Sequence, residues 1–128
     1  MATIKSFREL PVFSKSYKLS MQVFELTSQF PKEERYSLID QIRRSSRSIS
    51  ANISEAWAKK IYEKHFVSKL SDALGEEYET EVWLNYALDC KYLKEEHFTE
   101  LITSYSEVRK MLIYMINNSE IFCKKFSN

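Results

Sequence analysis

The sequence predicts an all-α fold, an antiparallel up-down-up-down four-helix bundle, and three observations carry that expectation. The first is turn chemistry: the 128 residues include one glycine and two prolines. A β-rich domain needs many tight turns, normally built from Gly, Pro, Asn or Asp, so sandwiches, barrels and glycine-rich nucleotide folds are disfavoured. The second is periodicity, because apolar residues recur at steps of three and four in four separate stretches, the spacing that aligns them on one helix face. The third is that the breaks between stretches are short, which makes consecutive helices antiparallel neighbours. With 44% hydrophobic residues the chain can bury one core. Residues 1–118 are expected as a single domain and 119–128 as a frayed or disordered tail.

The first helix is expected from about Pro11 to Phe30, where Val12, Leu19, Val23, Leu26 and Phe30 form one stripe. Phe13, Tyr17, Met21 and Phe24 form a second stripe beside it. Pro11 suits the first helical turn, where a missing N–H costs nothing, and Pro31 ends the segment. The second helix is expected from about Lys32 to Lys60, with Ile39, Ile42, Ser46, Ile49, Ile53 and Ala56 inward. Ser45, Ser46, Ser48, Ser50, Ala51 and Ser54 crowd its middle, and side chains that small let another helix approach closely. Glu33 and Glu34 would sit near its positive end, where the helix dipole favours them.

The third helix, about Glu63 to Asp89, is expected to place Phe66, Leu70, Ala73, Tyr78, Leu84 and Ala87 inward. Gly75 interrupts it at a cost of about 1 kcal/mol against alanine, so a packing reason is expected there. The fourth, about Glu95 to Asn118, repeats the three-four spacing through Phe98, Leu101, Tyr105, Val108, Leu112 and Met115. These stripes are wider than one bundle core requires. Aromatic surplus of this kind marks a protein interface, so a homo-oligomer or tight complex is expected.

Several function classes are disfavoured. Nineteen basic against eighteen acidic residues give a net charge of +1, which by itself points to no acidic partner. No stretch reaches the roughly 18 consecutive apolar residues of a membrane span, and Met1–Leu10 lacks the apolar segment of a secretory signal. A cytoplasmic protein is expected. Cys90 and Cys123 are too few for a disulfide framework or a metal site. His65 and His97 have no partner at metal-ligand spacing, no Glu-x-x-His motif occurs, and one glycine cannot make a phosphate loop. No catalytic residue, metal or cofactor is expected, and the protein reads as a non-enzyme.

Local charge is uneven. Helix two and the turn after it are basic, through Arg35, Arg43, Arg44, Arg47, Lys59, Lys60 and Lys64, whereas Asp72, Glu76, Glu77, Glu79 and Glu81 make helix three acidic. Either the two faces pair, within or between subunits, or the basic residues meet phosphates. For the second reading the candidates are Arg43, Arg47, Lys59, Lys60 and Lys64, since guanidinium and ammonium groups suit phosphate oxygens. Arg44, Ser48, Asn52, Glu55 and Lys59 border the apolar stripe of helix two, and polar groups at a core margin need partners. Glu79 is a candidate partner for Arg44 or Asn52. Arg44, Ser48, Asn52, Glu55 and Glu79 are therefore assigned to a structural network at or near a subunit interface.

The run Gln41-Ile42-Arg43-Arg44-Ser45-Ser46-Arg47-Ser48-Ile49-Ser50-Ala51-Asn52-Ile53-Ser54-Glu55-Ala56 resembles the signature of the bacterial four helix bundle proteins, also called the 23S rRNA-intervening-sequence proteins, which runs approximately Q-x-R-R-A-x-x-S-I-x-x-N-I-A-E-G. Phe30-Pro31-Lys32-Glu33-Glu34 before it, and Ala73-Leu74-Gly75 with Glu79 after it, extend the resemblance over roughly residues 5 to 118. Ser45 and Ser54 replace alanines and Ala56 replaces a glycine, all still small, while Glu76 and Glu77 stand where Ser and Leu are common. The resemblance implies an antiparallel bundle that assembles into a homopentameric ring. It also implies a link to nucleic acid: some members are encoded within insertions of the large-subunit rRNA gene, and a related retroelement accessory protein binds nucleic acid and a reverse transcriptase. The expected function is a non-enzymatic oligomer binding RNA or DNA through helix two. The alternative is a protein–protein scaffold or accessory subunit without nucleic-acid contact.

Overall fold

The computed structural model describes residues 4–126. Four helices form and, among the described residues, no strand: α1 (Pro11–Thr27), α2 (Leu38–Ala58), α3 (Glu63–Asp89) and α4 (Glu95–Asn117). Short 3-10 turns cover Phe7–Glu9, Lys32–Glu34 and Ser119–Ile121. α2 packs against α1 and α3, and α4 closes the bundle against α3 and α1. The core is continuous, with Ile42, Ile49, Ile53, Phe66, Leu70, Tyr105, Val108 and Leu112 fully enclosed. None of the helices is long and apolar enough to cross a membrane.

Pro11 opens α1 at the position its missing N–H tolerates. α2 begins at Leu38 rather than Lys32, because Lys32–Glu34 folds as a separate turn. Glu34 still serves the helix start: its carboxylate accepts the Ser37 hydroxyl at 2.6 Å, the Tyr92 hydroxyl at 2.9 Å and the Leu38 N–H at 3.4 Å. The Ser37 and Tyr92 hydroxyls hold Glu34 below the usual carboxylate range. Hydrogen bonding to the same carboxylate pushes the Tyr92 phenol up to about 12.

Several buried hydroxyls are satisfied within their own helices. Ser16, Ser20, Ser46 and Ser50 each donate to the carbonyl three residues back, and Thr27 donates to Val23. α3 ends in a Schellman turn, with the Tyr92 N–H on the Ala87 carbonyl and the Lys91 N–H on that of Leu88, both at 2.9 Å. Lys91 holds the left-handed position at φ 64, where glycine is usual. Lys91→Gly is therefore expected to stabilise the fold by about 0.5–1 kcal/mol in urea denaturation.

Two expectations are corrected. Tyr78 points outward at 49% exposure and Glu77 takes the inward position, because Ala73, Thr80 and Leu84 fix the phase of α3. Residues 119–126 are not a frayed tail: the Ser119 hydroxyl donates to Glu63 at 2.6 Å and Phe122 stacks on Phe66. Residues 127 and 128 lie outside the described residues.

Candidate interaction surface

The five residues expected to meet phosphate do not share one face. Arg43 and Lys59 are separated by 16 residues, about 24 Å along a helix and roughly 160° around it. Arg43 lies against α1, where its Nε donates to the Thr27 hydroxyl at 2.8 Å, an Nη donates to the Phe24 carbonyl at 3.2 Å, and its guanidinium covers the Phe24 ring at 4.5 Å. Burial, then the nearby Arg47 charge, pull its pKa below the usual range. Arg47 stands over the outer part of the same ring at 5.7 Å and stays exposed. Lys59 and Lys64 are exposed at the far end, around the α2–α3 turn.

Lys60 is the exception. It is 4% exposed, its ammonium lies 4.3 Å from the centroid of the Trp57 ring and 4.9 Å from that of Phe126, and it donates to the Lys125 carbonyl. The C-terminal segment covers it, so Lys60 anchors that segment and offers nothing to a phosphate.

The border of α2 that faces α3 divides into separate contacts. Arg44 grips Glu76 with both Nη groups, at 2.9 and 3.4 Å, and also bonds Glu79, which in turn accepts the Trp83 indole N–H at 3.1 Å. Glu76 and then Glu79 raise the Arg44 pKa. Glu55 pairs with Lys69 at 3.0 Å, and Lys69 also reaches Asp72. Asn52 returns its amide to the Ser48 carbonyl of its own helix at 2.8 Å, and Ser48 is half-buried beside it. Arg44 with Glu79 thus forms as expected, whereas Glu55 and Asn52 turn elsewhere. These bonds lie within one chain: the charge of Arg44 is spent on α3, and that of Lys69 on Glu55 of α2 and on Asp72 of its own helix.

Sequence reasoning missed a buried site. Glu77 is fully enclosed, and neither of its carboxyl oxygens nor the Tyr105 hydroxyl meets a hydrogen-bond partner among the described residues. Arg109 comes within 3.9 Å of Glu77 but bonds Glu81 at 2.6 Å and Ser106 at 3.0 Å. Burial, then the Glu81 carboxylate, push the Glu77 carboxyl up to about 9. Glu77 is thus a carboxyl enclosed in the core, next to the partly exposed Arg109–Glu81 pair. Among the described residues, no three His, Cys, Asp or Glu side chains converge as a metal site.

Two exposed stripes remain. On α1, Tyr17, Met21 and Phe24 are 52%, 43% and 38% exposed; on α3, Tyr78, Val82 and Tyr86 are 49%, 49% and 56% exposed. Four helices with a closed core, a polar α2–α3 margin and two exposed apolar stripes define a helical-bundle protein. The chain belongs to the 23S rRNA-intervening sequence protein family, whose model matches residues 8–114. Among solved structures it is similar to a protein with unknown function from the S23 ribosomal protein family of Bacteroides thetaiotaomicron VPI-5482, at 31% identity and a TM-score of 0.77. That match covers 84% of this chain and 96% of the other. No curated protein matches.

Proposed function

We propose that this chain is a non-enzymatic, cytoplasmic helical-bundle protein that works by self-association, as a homo-oligomeric scaffold for protein–protein contact. The observation that carries this reading is the pair of exposed stripes, Tyr17, Met21 and Phe24 on α1 and Tyr78, Val82 and Tyr86 on α3. Single exposed apolar residues are ordinary, but rows of them at helical spacing mark surfaces that a partner covers. Two different faces on one subunit suit a head-to-tail contact, which closes into a ring when the rotation allows. The homopentamer is the ring the family resemblance implies. The up-down-up-down arrangement is supported by contacts that run in opposite order along neighbouring helices: Ser45 meets Thr80, and Glu55 meets Lys69.

A second reading, binding of RNA or DNA, is favoured by the exposure of Arg47, Lys59 and Lys64. Assembly would repeat these cations around a ring, with Arg43 beside Arg47 and Lys60 taking no part.

Mass measurement in solution, paired with titration of labelled structured RNA and duplex DNA, tests both readings. The expected result is an oligomer with no steep salt-dependent binding between about 50 and 200 mM salt. A monomer at high protein concentration overturns the scaffold reading. Salt-sensitive binding by the oligomer, abolished by Arg47→Glu with Lys59→Glu and Lys64→Glu, transfers the conclusion to nucleic acid.

A further inference from the structure

Segments from both ends of the chain wall an apolar cleft of about 410 Å³, which lies between the first turn of α1 and the last turns of α4. Leu10, Val12 and Met115, each at most 5% exposed, form its floor. Ile4, from the segment before α1, and Phe122, from the segment after α4, stand at its sides. Phe122 is held there by stacking on Phe66, with ring centroids 6.2 Å apart. Sites for small molecules run from roughly 300 to 1,000 Å³ and are mostly apolar, with a few polar groups that fix orientation. This cleft has that size and that character. Met111 and Met115 follow each other at one turn of α4 along it, and an unbranched, polarisable thioether adapts to the contour of a flexible chain.

The polar groups of the cleft lie along one edge. Lys110 and Tyr114, each one position before a methionine of that row, are exposed at the rim. Among the described residues, Lys110 is the single charged residue of the lining. It has no ion-pair partner there either, because Glu107, one turn earlier on α4, is taken by Lys15 at 2.6 Å. The start of α1 adds to the positive field at this edge: its first turn holds no acidic residue, and Leu10 gives it no side-chain cap. An apolar floor under a cationic rim complements an amphiphile with a hydrocarbon tail and one negative head.

We propose that this cleft binds a free long-chain carboxylate, with the tail on Leu10, Val12 and Met115 and the head at Lys110. The site goes beyond the self-association reading and does not depend on it, since no residue of the Tyr17–Met21–Phe24 or Tyr78–Val82–Tyr86 stripe lines the cleft. Tail and head have separate consequences. Burial of the tail makes affinity rise with chain length, by roughly fourfold for each methylene that leaves water. The exposed ammonium of Lys110 supplies a smaller, charge-dependent share and selects the sign of the head group, because a cationic amphiphile would set like charge against the rim.

Isothermal titration of the full chain with laurate, octanoate and dodecyltrimethylammonium, each below its micelle-forming concentration, tests the site. Laurate is expected to bind saturably, about one per chain, and to raise the melting temperature, as a ligand of the folded state must. Octanoate, four methylenes shorter, is expected to bind more weakly by roughly tenfold or more. Lys110→Glu changes an exposed side chain, and is expected to weaken laurate about fivefold while strengthening dodecyltrimethylammonium. Met111→Trp, which fills the cleft, is expected to abolish both. Absence of saturable laurate binding overturns the proposal, and so does laurate affinity that Lys110→Glu and Met111→Trp leave unchanged. Equal affinity of the wild type for the two twelve-carbon amphiphiles overturns the assignment of the head group. Binding to phosphatidylglycerol vesicles in place of laurate assigns the cleft to a membrane surface and overturns it as well.

Discussion

Replacing Glu77 by leucine is expected to raise the stability of the bundle by about 2 kcal/mol, which for a domain of this size is a melting temperature higher by roughly 5–10 °C. Most large-to-polar or polar-to-large changes in a core cost stability, so the sign here is diagnostic. Glu77 occupies a core position with both carboxyl oxygens and the nearby Tyr105 hydroxyl unpartnered among the described residues. An unmade buried hydrogen bond costs about 1–3 kcal/mol, and an apolar side chain of similar volume removes that cost and adds burial.

The same carboxyl makes stability depend on pH. Burial, followed by the Glu81 carboxylate, lifts its folded-state pKa to about 9 from an ordinary 4.5. Between these values the folded protein keeps a proton that the unfolded chain has released, so rising pH favours unfolding. The contribution is complete below pH 4.5 and lost as pH climbs through about 9, with a slope near 1.4 kcal/mol per pH unit at its steepest. Urea denaturation at pH 5.5 and pH 8 reads this directly. The wild type is expected to be the less stable at pH 8, and Glu77→Gln, which cannot ionise, is expected to lose most of that difference. Wild-type midpoints that coincide at the two pH values would show that Glu77 titrates as an ordinary carboxylate.

The contrast between α2 and α3 shows what periodicity reveals. In α2 the expected inward set, Ile39, Ile42, Ser46, Ile49, Ile53 and Ala56, is buried throughout, because isoleucines at three-four spacing leave one phase open. In α3 the apolar residues are sparser, and hydrophobicity alone drew Tyr78 inward and Glu77 outward. Phe66, Leu70, Ala73, Leu84 and Ala87 already define a phase that reaches position 77. Reading that phase first, and accepting a carboxyl inside it, would have found the buried site. The C-terminal segment had no such signal, since its order comes from Phe122 on Phe66 and from Lys60, contacts between residues far apart in sequence.

The exposed apolar surface was legible in kind but not in detail. The surplus aromatics of α1 appear in the sequence as a second stripe, and Tyr17, Met21 and Phe24 are indeed exposed. Charge was legible only as a count. Which cations are free depends on partners across the bundle: Arg44 is tied to Glu76 and Glu79, Lys69 to Glu55, Lys15 to Glu107 and Arg109 to Glu81. The exposed ones among these pairs add at most about 1 kcal/mol each to stability, yet together the pairs decide which side chains remain to meet another molecule. Gly75 was expected to have a packing reason, and among the described residues a Cβ there would meet nothing within 4 Å.

Ser45→Leu is expected to cost about 3 kcal/mol, a large share of the 5–15 kcal/mol that holds a typical domain folded. Ser45 is fully buried on the side of α2 that faces α3, with the Thr80 hydroxyl 2.9 Å from its Oγ. That distance fixes how closely the two helices approach, and a branched four-carbon side chain has no room between them without displacing α3. The Arg44 bonds to Glu76 and Glu79 lie on the same seam, so the displacement also breaks the polar margin. Ser45→Ala separates size from hydrogen bonding: the Thr80 hydroxyl still reaches the Glu76 carbonyl at 2.8 Å, so this variant is expected within about 1 kcal/mol of wild type. Ala51→Leu, one residue type smaller and exposed on the same helix, is expected within about 0.5 kcal/mol. Urea denaturation of the three variants gives the comparison. A Ser45→Leu midpoint equal to that of Ser45→Ala would mean that the α2–α3 seam has slack, and that the small residues of α2 are not what sets the distance between the helices.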